Sequence, residues 1–586
     1  MHPKKSRLVF NIGVTGHRYI NQEQNNPLKE LSKDILTFIS NSIQELYKEL
    51  KDIYTAESPK LNLLTCLAEG FDRIAAHAAL SSGYELQCPL PFSREEYSLD
   101  FESEASILEY TSLLQKASSI YELDFGREVI DKQYLNAGTV LLEQTDILLA
   151  YWDGNPAKGP GGTGDIVELA KEKGIPVIHI RKDLEVVYGK EDNWKEPLKR
   201  DIRKVLIPYD SILDKRFFPY LYFNESFERK SRAKLYNNVV KLFSHKPSKS
   251  KNTLKGSLGR NQNSMIISKE KQYFDHYFYE ADSLAMYYAD YYRSAGMLRA
   301  LIPLLANIAL AIGFYWRWGE NSNIVNVIGF LLQVVFLYWL VRIVGKRNEK
   351  NKWHQKFIDY RILAECIKNQ SYIIPLGITL REIEISPYNK NDSISWINWY
   401  LRNMTREIGL PNIVLDRKAL EEALTNLNNQ LILDQVLYHE KSFSKINDVS
   451  NKLEKIGVTF FTVGAIITII RVAVHYACQI NPSLTWLPNP QNKIIKLPTF
   501  INMLSLLFPA FGAVMFSLKD QAGFDKLAQR HNYMNEQLTN IYNDMQNVKE
   551  ESFLSVRRKI FRITTFMIEE VTDWRMFIKS KGISKR

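Results

Sequence analysis

Cysteine is scarce. The four in 586 residues, Cys66, Cys88, Cys366 and Cys478, are far apart in the chain. They show neither disulfide nor metal-ligand spacing, which excludes a disulfide framework and fits a reducing compartment. No metal site is expected. The basic opening Met1–Phe10 lacks a long apolar core ahead of a cleavage site, so no signal peptide is expected. No Gly-Lys-Ser/Thr follows the glycine-rich run at 159–164, which excludes a Walker phosphate loop. The net charge is +11, yet no compact basic stripe interleaved with aromatics is present, so nucleic acid is not an expected partner. Basic flanks beside anionic lipid account for that charge better. At 45% hydrophobic and 24% charged the chain is not a disordered one.

Four apolar runs stand out, about Leu298–Trp316, Ile324–Val344, Ile456–Cys478 and Pro498–Leu518. Each meets the roughly 20 mostly apolar residues that a membrane-spanning helix needs, and they predict two antiparallel hairpins. Arg293 and Arg299 precede the first run, and Arg342, Lys346, Arg347 and Lys350 follow the second. Lys445, Lys452 and Lys455 precede the third, and Lys519, Lys526 and Arg530 follow the fourth. The loops between the runs carry only Arg317 in one case and Lys493 and Lys496 in the other. By the positive-inside rule, both termini are expected in the cytosol, with the protein multi-pass in a cytoplasmic membrane. Each hairpin is flanked by amphipathic helical patterns, 279–296 and 351–368 around the first and 439–457 and 527–546 around the second. The halves therefore repeat in plan. Arg471 and His475 share one face of the third run. They are candidates for a polar path, the alternative being that Arg471 snorkels to the nearby membrane surface.

Residues 6–182 alternate between apolar strand-like runs and amphipathic helical ones. Strands are expected at Leu8–Val14, Leu61–Leu67, Glu85–Pro89, Ser119–Leu123, Asp146–Trp152 and Pro176–Ile180. This alternation predicts an α/β doubly wound parallel sheet, Rossmann-like, ahead of an all-α membrane domain with four spans. Ligands of such sheets bind beyond the carboxyl ends of the strands, at the topological switch point. Three turns fall there. In the first, Gly13, Thr15, Gly16, His17 and Arg18 combine glycines that let amides approach a phosphate with a hydroxyl and a guanidinium. In the second, Gly70 allows a tight turn while Glu69 and Asp72 are candidates either for ribose hydroxyls or for a helix cap. In the third, Gly161, Gly162, Thr163 and Gly164 open a helix whose free amides and dipole favour an anion, with Glu168 about one turn further on. Four glycines in the six residues 159–164 are costly in chain entropy and need a reason.

The run Pro160-Gly161-Gly162-Thr163-Gly164-Asp165-Ile166-Val167-Glu168 resembles the Pro-Gly-Gly-x-Gly-Thr-x-x-Glu signature of LOG phosphoribohydrolases, with Asp165 in place of the Thr. Together with the turns at 13–18 and 68–72, residues 8–182 resemble the SLOG superfamily, which joins Smf/DprA and LOG domains. The helix–hairpin–helix units resemble SLATT modules, two-span effectors found beside SLOG sensors. The resemblance implies a bacterial antiviral-defence effector: a sensor for a nucleotide-derived second messenger, ADP-ribose-like or a cyclic nucleotide, coupled to membrane disruption. It implies no cofactor beyond that ligand, and assembly into a homo-oligomer. It leaves a second reading, an N-glycosidase in which Glu168 is catalytic. The partner Arg of that chemistry has no match here, Arg127 being the nearest upstream candidate. The expected organisation is a nucleotide-binding domain over 1–182, its extension over 183–243 and a basic linker over 244–268. The two membrane units follow over 269–375 and 441–550, separated by a segment of unassigned role over 376–440, and a basic tail ends the chain over 551–586.

Overall fold

The computed structural model describes residues 4–127, 130–157, 159–189, 193–207, 233–244, 268–315, 351–380, 395–480, 497–546 and 552–582, with single positions between 225 and 228 and between 327 and 342. The expected linker over 244–268 lies almost wholly outside the described residues, as does most of the apolar run at 324–344.

The alternation of the first 180 residues becomes a sheet. Its strands are β1 (Val9–Gly16), β2 (Lys60–Leu64), β3 (Glu85–Leu90), β4 (Ala117–Asp124), β5 (Ile147–Tyr151) and β6 (Val177–Ile180), followed by a two-residue β7 (Val186–Val187). Between them run α1 (Gln22–Glu49), α2 (Phe71–Ser81), α3 (Arg94–Ser98), α4 (Glu104–Gln115), α5 (Ile130–Gln144) and α6 (Thr163–Glu172). An eighth strand, β8 (Ile413–Asp416), completes the order β7-β6-β5-β1-β2-β3-β4-β8, parallel except for β7. The six expected strands all form, within a few residues of their expected bounds. From β1 the chain steps outward through β2 and β3 to β4, then returns to place β5 on the other side of β1, with Ile12 in register with both Leu63 and Ile147. The switch point therefore lies between the carboxyl ends of β1 and β5.

β8 comes from the segment whose role the sequence left open. It follows α11 (Ser395–Ile408), counting α7 (Lys195–Leu206), α8 (Leu235–Phe243), α9 (Ser268–Tyr315) and α10 (Trp353–Ile373) before it. α11 packs beneath the sheet. Buried Arg402 and Arg406 both reach the buried Asp146, at 3.2 and 2.9 Å, just ahead of β5. α7 packs over α1 through Lys199–Glu45 and Arg203–Glu49 ion pairs at 2.8 and 2.9 Å.

The remainder is helical: α12 (Arg417–Asn426), one π-helical turn (Leu427–Ile432), α13 (Leu433–Ile480), α14 (Leu497–Ala522), α15 (Phe524–Met545) and α16 (Phe553–Gly582). Among the described residues two helices, rather than the expected four, are long and apolar enough to cross a membrane, within Arg417–Ala477 and Ile501–Ala522. The expected first run continues α9 as helix to Tyr315. α13 at 48 residues is about 70 Å long, more than twice a hydrocarbon core, so half of it extends beyond any bilayer. Its distal half exposes Val458, Phe461, Ile466, Ile469, Ile470 and Val472. In water so continuous an apolar surface would be a liability; against lipid it is not.

α13 and α14 meet over glycines. A Cβ at Gly464 would fall 2.8 Å from the Pro509 ring, one at Gly457 2.8 Å from the Phe516 ring, and one at Gly512 2.8 Å from the Phe461 ring. Small residues are what let helix backbones approach when no hydrophobic effect drives them together. Gly464→Ile is expected to destabilise the hairpin by about 1–3 kcal/mol, as overpacking does, read as a lowered melting temperature in detergent, with Gly464→Ala intermediate.

One hydrophobic core runs through both parts. It joins Phe10, Ile12 and Leu63 of the sheet to Tyr400 of α11, Tyr277 of α9, Leu363 of α10, Met534 of α15 and Ile560 of α16.

Candidate functional site

A cleft of about 610 Å³ opens at the switch point, the size of a small-molecule site. The turns after β1 and β5 line it, with the start of α2, part of α5 and the start of α6. Of the residues singled out from the sequence, Thr15, Gly16, His17, Arg18, Asp72 and Gly161–Gly164 line it.

The first two turns are seated backbone on backbone. The amide of His17 donates to Tyr151 O at 3.2 Å, and Phe71 N donates to His17 O at 3.1 Å. Gly70 has φ +81°, and a Cβ there would fall 2.3 Å from Arg18 O. No other residue fits without moving the turn that carries Arg18. Gly13 serves differently. Its missing Cβ makes room for Thr145, whose Oγ1 would lie 2.3 Å away, so it seats β1 against the end of α5 rather than contacting the cleft. Glu69 also sits outside the lining, accepting the Ser106 hydroxyl.

The glycine-rich turn is shaped first by packing. Gly161 has φ +80° and would meet Leu135 N at 2.5 Å, while Gly164 would meet Ala157 N at 2.6 Å. The Gly161 amide donates to Asp165 Oδ2 at 3.1 Å, and the Gly162 amide to Gly159 O at 3.1 Å. Asp165, the departure from the LOG pattern, thus ties the turn to its own helix in the manner of a cap. The amides at the start of α6 are the ones a helix leaves without internal partners, and the dipole there favours an anion.

Around this anion-favouring floor stand further charged and aromatic groups, of which Asp153, Lys182, Tyr97, Tyr134 and Trp152 are not among the candidates the sequence offers. Asp153 N–H donates to His17 Nε2 at 3.0 Å, which makes Nε2 an acceptor and puts the imidazole proton on Nδ1. Lys182 Nζ lies 3.2 Å from Asp153 Oδ2. Partial burial would raise the Asp153 carboxyl, but the Asn155 amide and Lys182 hold it well below the usual range. Tyr97, Tyr134 and Trp152 supply aromatic faces, and the Arg18 guanidinium sits 5.0 Å over the Tyr134 ring. Asp72 is buried at the cleft floor and accepts the Thr65 hydroxyl at 3.2 Å. Burial pushes its carboxyl up to about 7, against the pull of Thr65, the Ala68 amide, Arg18 and Arg73. Lys182 and the aromatics lie in strand ends and helices, where sequence alone ranks them as ordinary surface or core.

The two residues of the glycosidase reading stand apart from the cleft lining. Glu168 is 61% exposed and pairs with Lys171 at 2.7 Å. Arg127 pairs with Glu96 and, at 2.7 Å, with Asp100. In the helical part, Arg471 and His475 are both exposed on α13, with His475 Nε2 3.3 Å from the Gln479 amide nitrogen.

No protein-family model matches the chain. One curated relative is the "Uncharacterized calcium-binding protein C07A9.5" of Caenorhabditis elegans, 33% identical over 100 residues, which make up 16% of this chain and 25% of that protein. The matched stretch thus spans a quarter of that relative. Among the described residues, no group of three or more His, Cys, Asp or Glu is clustered so as to hold a metal ion.

Proposed function

We propose that the chain is a membrane-embedded sensor-effector: the switch-point cleft takes a phosphate-bearing, nucleotide-derived signal, and the helical part disrupts the membrane in response. The observation that carries this reading is the cleft itself, with an anion-favouring helix start, Arg18 held against the Tyr134 ring and further aromatic faces, set in a core continuous with the helices that lead into the apolar hairpin. The ligand's phosphate sits at the start of α6 beside Arg18, and its base stacks on the Tyr134 or Trp152 face. Closure around it shifts α11 and, through the shared core, α9 and α13. By linkage the ligand must bind the active state more tightly than the resting one. The finer picture follows the SLOG and SLATT resemblance: four spans, cytosolic termini, a homo-oligomer and a role in bacterial antiviral defence.

Binding is favoured over glycosidic cleavage because Glu168 and Arg127 are each engaged outside the cleft. The test uses the full chain in detergent with ADP-ribose isomers, NAD, nucleoside monophosphates and cyclic oligonucleotides, reading thermal shift and product chromatography on the same samples. One ligand is expected to raise the melting temperature and be recovered intact. Arg18→Ala is expected to weaken it about 10- to 100-fold, the loss of a charge-assisted hydrogen bond. Release of free base, lost in Glu168→Ala, would overturn the reading.

The pH dependence has a defined sign. Asp72 is neutral below about 7 and ionised above it, and the ionised form repels an anion. Affinity for a phosphate ligand is therefore expected to fall as pH rises from 6 to 8, by up to about tenfold per pH unit, and to flatten in Asp72→Asn.

A further inference from the structure

A second cavity, about 340 Å³, lies among the helices outside the apolar stretches, lined by parts of α9, α10, α13, α15 and α16. Two imidazoles face each other in it, with His439 Nδ1 2.8 Å from His531 Nδ1. Around them stand Asp282 and Arg293 of α9, Arg361, Glu365 and Lys368 of α10, Tyr438 of α13, Arg530 of α15 and Glu570 of α16. Arg361 takes two of the carboxylates, Asp282 at 3.0 Å and Glu365 at 2.5 Å. Arg530 takes the third, Glu570. Arg293 is left without a carboxylate among the described residues, its guanidinium 5.1 and 5.3 Å over the Tyr236 and Phe357 rings. A half-buried, uncompensated guanidinium beside two imidazoles in a cavity is what a small oxyanion requires.

We infer that this cavity is a second binding site, distinct from the cleft, for a phosphate-type oxyanion held by Arg293 together with His439 and His531. The proton arithmetic follows from the contact between the rings. In the neutral pair one Nδ1–H lies between the imidazoles, so one ring presents an Nε2–H donor and the other a bare Nε2. One proton taken up from solvent puts N–H on both Nε2 atoms and adds a positive charge. Burial, the contact between the two rings and the nearby cations hold both imidazoles well below the ordinary histidine value. A bound anion reverses the sign of the local field, raises these values and brings the proton with it. Such an anion bridges α9, α13 and α15 below the apolar half of α13. The same chemistry is offered by a free anion and by a phosphate lipid headgroup.

The test uses the full chain in phosphatidylcholine nanodiscs with sulfate, whose charge is constant over this pH range, against chloride at equal ionic strength. Sulfate is expected to bind with uptake of about one proton, by calorimetry in two buffers of different ionisation enthalpy. Binding is expected to be tighter at pH 5.5 than at 7.5 and about tenfold weaker in Arg293→Gln. Arg293→Lys keeps the charge and the stem and is expected to fall between the two. His531→Gln is expected to lose the proton uptake. If the source is a headgroup, sulfate does little, while phosphatidic acid in the nanodisc raises the melting temperature of wild type and not of Arg293→Gln. Sulfate bound equally well by Arg293→Gln and wild type, or no response to either anion, would overturn the inference.

Discussion

Asp146→Ala is expected to cost about 3–5 kcal/mol of stability, the usual loss when one partner of a buried ion network is removed. Asp146 accepts from Arg406 Nε at 2.9 Å, from Arg402 Nη2 at 3.2 Å and from the Asn11 amide at 3.0 Å. Both guanidiniums are buried with it. Without the carboxylate, two charges stay in the core between the sheet and α11. Asp146→Asn keeps the shape and the Asn11 hydrogen bond but not the charge, and is expected to be less severe. Burial would raise the Asp146 carboxyl, but Arg406 and Arg402 hold it below the ordinary range. Its contribution to stability is therefore fully present above the ordinary carboxylate pKa and lost as pH falls through the depressed value. Chemical denaturation in detergent at neutral and acid pH checks both the size and the sign: the gap between wild type and Asp146→Asn should shrink in acid.

A chain cut after residue 243 is expected to give no cooperative melting transition, and to elute as aggregate rather than monomer. Such a fragment contains all three turns of the cleft, yet it lacks β8, which covers the edge of β4. It also lacks α11, whose Trp399 packs on Tyr54 with ring centroids 5.7 Å apart and donates to Leu206 O at 3.0 Å. Removal of α11 and β8 leaves Asp146 without its cations and an open strand edge ready to pair with another chain. A monomeric fragment with a sharp transition would show that the sheet folds by itself and that the shared core is incidental.

The same comparison shows what the sequence made legible. Strands β1 to β5 announce themselves because each is a short apolar run followed by a helix, β6 as the apolar run after the last of these helices, and the glycine-bearing turns fall at the carboxyl ends of β1, β2 and β5 by the rules of parallel sheets. β8 gives no such signal: four residues, Ile413–Asp416, whose partner strand β4 lies nearly 300 residues earlier. A local trace of α11 did exist. Arg402 and Arg406 stand one helical turn apart on a helix that buries Trp396, Ile397, Tyr400, Leu401 and Met404, and two cations on a buried face demand an anion elsewhere in the chain. The turn glycines carry two different reasons. A glycine required by a ligand and one required by a neighbouring backbone read alike in sequence, and only the atoms beside Gly13, Gly70 and Gly161 separate the two. Glu168 was placed near the cleft by its distance along α6, whereas helical rotation turns it to solvent beside Lys171.

The most direct measurement is ion efflux from liposomes containing the full chain, with and without the nucleotide-derived ligand identified by thermal shift, in wild type and in Arg18→Ala. A signal-gated membrane effector predicts tight liposomes without ligand, rapid efflux with it, and a dose response in Arg18→Ala shifted to higher ligand by about 10- to 100-fold. Efflux that is the same with and without a ligand known to bind would contradict coupling between the cleft and the membrane helices.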